Sequence, residues 1–139
     1  MPFNKHGSVL GMKKVALVGH CGPDSSFLRI TVRKAHPEVD VIMVDDDRDL
    51  QRALADGVEL LLLNRELSWG FHDTLGVDLI KRLKDQKIDV KTMLVSNYAE
   101  AQQEAVAAGA LPGFGKRELG SPRILTLIRG ALEEAPAPD

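Results

Sequence analysis

Three polar residues close or follow apolar runs in a way that would gather them at one edge of a sheet. Asn64 ends Val58-Glu59-Leu60-Leu61-Leu62-Leu63, Ser96 ends Met93-Leu94-Val95, and Lys116 follows Gly113-Phe114-Gly115. After the first apolar run, Gly19-His20-Cys21 reaches the same edge. An amide, a hydroxyl and an ammonium can share a hydrogen-bond network. They do not make a carboxylate nucleophile, because an amide oxygen forms no normal acyl phosphate. Nor do glycine and histidine offer the oxygen ligands that a hard cation such as Mg²⁺ prefers.

The elements that must position these groups alternate short β-like runs with amphipathic helices, the pattern of a parallel sheet covered on both faces. Val15-Ala16-Leu17-Val18 reads as the first strand. Pro23-Asp24-Ser25-Ser26 starts a helix whose buried stripe is expected at Phe27, Leu28, Ile30, Thr31 and Ala35, with Asp24 read as part of that start. Val39 to Val44 forms the second strand, and Leu50, Ala53 and Leu54 give a short second helix stopped by Asp56-Gly57. Val58 to Leu63 is unbroken, as a central strand buried on both faces should be. Leu75, Leu79, Ile80 and Leu83 share one face of a third helix. Met93-Leu94-Val95, an alanine-rich helix from Ala99 to Ala108, and a brief strand around Leu111 to Phe114 follow. Ser121-Pro122 starts a last helix carrying Ile124, Leu125, Leu127, Ile128 and Leu132. The fold class is α/β, a doubly wound sheet of about five β/α units, whose sites form beyond the carboxyl ends of the strands.

Composition narrows the function classes. A length of 139 residues suits one domain with a substantial core. A net charge of −2 and a pI of about 6.1 supply no basic field for nucleic acid. Cys21 is the only cysteine, so no internal disulfide forms and a reducing cytoplasm is the expected setting. No apolar run approaches the ~20 residues that cross a bilayer, so no membrane insertion is expected. Residues 1–11 lack an apolar signal-peptide region and read as a loose arm, 12–133 as the domain, and 134–139 as an extended tail. Gly19-His20-Cys21-Gly22-Pro23 lacks the Lys-Ser/Thr ending of a P-loop.

Ala107-Ala108-Gly109-Ala110, followed by Phe114 and Lys116, resembles the segment that leads to the lysine of response-regulator receiver domains. Gly76-Val77-Asp78-Leu79-Ile80 is similar to their third-helix start. The resemblance covers residues 12–133. It implies the flavodoxin-like (CheY-like) strand order 2-1-3-4-5 and a phosphoryl pocket at Gly19, His20, Asn64, Ser96 and Lys116. In the family an acidic pair stands where Gly19-His20 stand, the phosphoacceptor aspartate where Asn64 stands, and a switching aromatic where Gly113 stands. Arg117 replaces the usual proline after the lysine, so no cis peptide is expected. The chain is therefore expected to be a degenerate, stand-alone pseudo-receiver and not an enzyme, with no catalytic residue, cofactor or metal. In the network, Lys116 is expected to donate to the Asn64 side-chain oxygen and Ser96 to a backbone carbonyl.

Partners implied by the resemblance are a histidine kinase or another receiver, with homodimer formation through the fourth helix, fifth strand and fifth helix. Two alternatives stay open: a phosphorelay receiver with His20 or Ser96 as acceptor, and a small-molecule sensor at the strand edge. Asp45-Asp46-Asp47 caps the second helix or reaches the pocket. His20-Cys21 is too small a set for a metal site. The long segment 65–74 carries Trp69 and Phe71, either as a buried lid or as an exposed partner anchor, with His72 beside them. The extra apolar residues of the last helix pack inward or form an interface.

Overall fold

The computed structural model describes residues 13–133, so the expected arm and tail lie outside the described residues. Five parallel strands form one sheet in the order β2-β1-β3-β4-β5. They are β1 Lys14–Val18, β2 Asp40–Val44, β3 Leu60–Asn64, β4 Lys91–Val95 and β5 Leu111–Phe114. Helices α1 Gly22–Ala35, α2 Asp47–Ala55, α3 Gly76–Asp85, α4 Ala99–Ala107 and α5 Pro122–Leu132 alternate with them.

The twofold strand period divides the core between two faces. Val15 and Leu17 of β1 join Leu60 and Leu62 of β3 under Leu28 and Val32 of α1 and Ile124 and Ile128 of α5. Ala16 and Val18 join Leu61 and Leu63 under α2, α3 and α4. Leu60 to Leu63 are each 0% exposed, and each such leucine contributes roughly 1.5–3 kcal/mol. That burial fixes the register Leu17↔Leu62 and Val18↔Leu63. It carries β3 to the carboxyl edge, where Asn64 pairs with Val95.

Two helical faces differ from expectation. In α1 the buried side is Leu28, Thr31, Val32 and Ala35, whereas Phe27 and Ile30 are each 59% exposed. The 28/31/32/35 spacing completes one helical stripe, and a one-residue step turns Phe27 and Ile30 away from it. Leu75 is the N-cap of α3 and bridges Glu66, so it is exposed while Val77, Leu79, Ile80 and Leu83 are buried. The last helix behaves as expected at its start, with the Ser121 hydroxyl accepting from Arg123 N at 3.1 Å. Its Leu125 and Leu127 are only half-buried. Among the described residues there is no cis peptide bond.

Candidate functional site

Asn64 sits at the end of β3, between the β1–α1 turn and the start of the β3–α3 loop. Its Nδ2 donates to Gly19 O at 3.2 Å and to Glu66 O at 3.1 Å. Two carbonyl oxygens thus converge on one point, and an amide N–H group satisfies both. Gly19 is required at this turn: its φ is +76°, and a Cβ there would lie 2.7 Å from Leu67 Cδ2. His20 turns inward. Its Nε2 donates to Leu62 O at 2.9 Å, which leaves Nδ1 as a bare, buried acceptor with no partner. Burial holds its pKa down to about 4, with the Leu62 bond opposing and Lys116 adding to the depression.

The expected Lys116–Asn64 bond does not form. Lys116 Nζ instead donates to Asp24 Oδ2 at 2.6 Å. The reason is charge: a half-exposed ammonium gains more from a carboxylate than from a neutral amide. Asp24 therefore does more than start α1. Lys116 holds its carboxyl below the usual carboxylate range, aided by a hydrogen bond from the Cys21 thiol. Its depressed pKa means the stabilisation is present above the unfolded value of 3.8 and is lost as pH falls through the folded one. Asp24→Asn is expected to cost at most about 1 kcal/mol at neutral pH, because the pair is partly solvated. The difference from wild type should vanish in urea titrations below the carboxyl's folded pKa.

Ser96 also departs from expectation. Its Oγ accepts from Tyr98 N at 3.1 Å rather than donating to a carbonyl, a local hydroxyl turn that starts the loop into α4. Nearby, Gln102 Nε2 lies 2.9 Å from Leu94 O, 3.1 Å from Ser96 O and 3.3 Å from Phe114 O. It thereby ties β4 to β5 across their shifted register. A Cβ at Gly113 would collide with Leu94 O and crowd Gln102, so the place of the family's aromatic is closed to a side chain. The loop carrying Lys116 is fixed as well, with Arg117 N donating to Asn97 Oδ1 at 3.1 Å and Gly115 N to Glu118 Oε2 at 2.9 Å. Asn64, Glu66, Ser96, Asn97 and Lys116 line a cavity of about 220 Å³ at this edge. Nothing in the sequence marks Asp24 or Gln102 as site residues, since an acid in the first turn of α1 has a local explanation and a glutamine on α4 has no diagnostic spacing.

The segment 65–74 divides its two aromatics. Phe71 is buried against Gly19 and belongs to the core, so it is a lid residue and not an anchor. Trp69 is 101% exposed. The segment is fastened by Leu67 N to Thr74 O at 2.9 Å, Asp47 N to Gly70 O at 3.0 Å and His72 N to Asp47 Oδ2 at 2.8 Å. Arg82 Nε donates to Asp73 Oδ2 at 2.7 Å. Of the aspartate run, Asp46 caps α2 by accepting from Asp49 N at 2.7 Å, Asp47 holds this segment, and none of the three lines the pocket.

The receiver resemblance implies Mg²⁺, and the donor set does not fit it. Gly19 and His20 bring no carboxylate, the Asp24 carboxylate is paired with Lys116, and an N–H group fills the convergence of the Gly19 and Glu66 carbonyls. Among the described residues no group of three or more His, Cys, Asp or Glu is placed to hold a metal ion.

Comparison with solved structures identifies the architecture. The beryllofluoride-activated NtrC4 receiver domain dimer superposes with a TM-score of 0.71 at 18% identity, over 87% of this chain and 97% of that one. FixJ-N gives 0.69 at 22% identity over 90% and 97%. The receiver domain of NtrX from Brucella abortus gives 0.65 at 19% identity over 88% and 100%. The fold is that of response-regulator receiver domains, the flavodoxin-like arrangement with sheet order 2-1-3-4-5. No family model matches the chain, and no curated protein matches its sequence. Among the described residues no helix is long and apolar enough to cross a membrane.

Proposed function

We propose that this chain is an atypical receiver module that acts in signal transduction through protein–protein contact, without aspartyl phosphorylation and without catalysis of its own. The observation that carries this reading is the Asn64 side chain, whose amide donates to Gly19 O and Glu66 O where a working receiver needs an ionised acid and a cation. The network around it favours a single fixed arrangement: Asp24 engages Lys116, and Gln102 ties β4 to β5. Output then depends on when and where the protein meets its partner, since no ligand shifts an equilibrium without differential affinity for two states.

A cytoplasmic setting suits the single free thiol of Cys21. The partner class we infer is a histidine kinase or another receiver. The α4–β5–α5 face offers it a groove of about 820 Å³, lined in part by Gln103, Val106, Pro112 and Arg117. Use of His20 as an alternative phosphoacceptor is disfavoured because its Nε2 is engaged and its Nδ1 is buried. Ser96 is disfavoured because its hydroxyl lies on a residue 7% exposed.

A titration with Mg²⁺ and beryllofluoride, followed residue by residue by NMR, tests the reading. No saturable shift is expected at Asn64, Ser96 or Lys116. Saturable shifts spreading to α5 would replace the inert module with a working phosphoryl switch.

A further inference from the structure

The α4 helix is weakly anchored by apolar burial. Its buried residues are Ala101 and Ala105, so among the described residues it is the one α-helix that buries nothing larger than alanine. By comparison α3 buries Val77, Leu79, Ile80 and Leu83, and α5 buries Ile124, Ile128, Ala131 and Leu132. An alanine removes little apolar area from water, and the hydrophobic gain scales with that area. Val106, the largest apolar residue of α4, is 45% exposed. Nor does Tyr98, at the N-cap, supply a side-chain capping bond.

A polar contact takes the place of the missing burial. Gln102 Nε2 reaches Leu94 O at 2.9 Å, Ser96 O at 3.1 Å and Phe114 O at 3.3 Å. Three carbonyls facing one terminal group identify it as the amide NH₂, which only donates. Leu94 lies in β4, Ser96 follows it and Phe114 lies in β5, so one side chain binds the helix to both strands. Gly113 makes room for the contact, because a Cβ there would lie 2.8 Å from Gln102 Oε1. Among the described residues no other α4 side chain hydrogen-bonds to the sheet.

We propose that α4 is a detachable helix, that the Gln102 amide is the clasp holding it on the sheet, and that this clasp sets the shape of the α4–β5–α5 groove. Gln102, Gln103, Val106 and Ala107 form the α4 wall of that groove, so the wall moves with the helix. With the clasp closed the groove is preformed, and a partner that fits it loses little to ordering. A partner that needs the wall displaced must supply the cost of opening through its own differential affinity. One amide, rather than a phosphoryl group, then sets that cost. The role of the groove rests on the adaptor reading, whereas the clasp stands whether or not this face takes a partner.

Native-state amide hydrogen exchange of the full chain over a denaturant series, with no partner, Mg²⁺ or phosphodonor, tests the clasp. Amides of α4 should exchange through a local opening with a shallow denaturant dependence, because detaching one helix exposes little surface. Those of α1 and α3 should follow the steep global transition. Gln102→Ala should raise the local exchange of α4 roughly tenfold, the size of one or two lost hydrogen bonds. Gln103→Ala, an exposed position on the same helix, carries the same change in helix propensity and should leave that exchange at the wild-type level. Gln102→Glu sets a carboxylate against the three carbonyls, so its α4 protection should fall further and recover as pH is lowered, when protonation returns one O–H donor. Three results would overturn the proposal. They are α4 amides that merge with α1 and α3 in the steep transition, equal local exchange in Gln102→Ala and Gln103→Ala, and α4 protection in Gln102→Glu that ignores pH. Binding of Mg²⁺ and beryllofluoride bears on the inert pocket and not on these rates, so the two readings fail separately.

Discussion

Asn64→Asp is expected to lower stability by about 1–3 kcal/mol at neutral pH and to leave the protein unlabelled by acetyl phosphate with Mg²⁺. The substitution removes the donor that, among the described residues, satisfies Gly19 O and Glu66 O. It replaces that donor with a carboxylate oxygen about 3 Å from each carbonyl, a contact of like partial charges. Protonating the new acid would restore one O–H donor, so the deficit should shrink as pH falls and grow again above the acid's pKa. Urea melts at several pH values measure this directly. Restoring the acid does not restore the reaction, because Gly19 and His20 still bring no carboxylate and Asp24 remains paired with Lys116. Efficient Mg²⁺-dependent labelling of the single variant would sink the inert-pocket account, since it would require a cation site where the donor set supplies none.

The same residues mark how far the sequence alone reaches. Strand identities were legible because β3 is a continuous apolar run and β1 an unbroken one, each too short for a helix and bounded by turn residues, as strands of a sheet covered on both faces are. The order of the strands was legible only through the receiver-like segments around Gly76 and Lys116, because periodicity carries no information about which strand pairs with which. In α1 the apolar residues span more than one face, so the period could not choose between Phe27 and Val32; contact with the sheet and α5 makes that choice. The Lys116 partner was hidden for a different reason. Asp24 is 92 positions away, and an acid in the first turn of a helix already has a sufficient local explanation. Trp69 and Phe71 stand two positions apart in a segment without period, and their opposite fates follow from Phe71 covering Gly19 while Trp69 caps the outside of the turn.

Acid should act next on His20, which is buried beside the edge cavity and is not part of its lining. Burial lowers the His20 pKa to about 4 in the folded protein from its ordinary 6.5, so between those limits the unfolded chain binds the extra proton and the folded chain does not. Stability is therefore complete above pH 6.5 and declines toward pH 4, by about 1.4 kcal/mol for each pH unit. The total loss approaches roughly 3 kcal/mol, a large share of a small domain's stability. The cause is geometric. Nε2 is fixed as the donor to Leu62 O, so an added proton must go on Nδ1, which is buried without an acceptor. Lys116 opposes the new charge and Asp24 favours it less strongly. His20→Gln keeps an N–H donor near Leu62 O but cannot titrate. Its stability is expected to start lower, through lost ring packing, and to stay flat between pH 6.5 and 4. His72→Gln, at an exposed position, should retain the wild-type slope. The Asp24–Lys116 pair stabilises throughout this window and loses its contribution only below it, as the Asp24 carboxyl titrates under its unfolded value of 3.8, so the two pH dependences separate on one axis. A wild-type slope that persists in His20→Gln would move the titration to another residue and remove His20 from the account of the pocket.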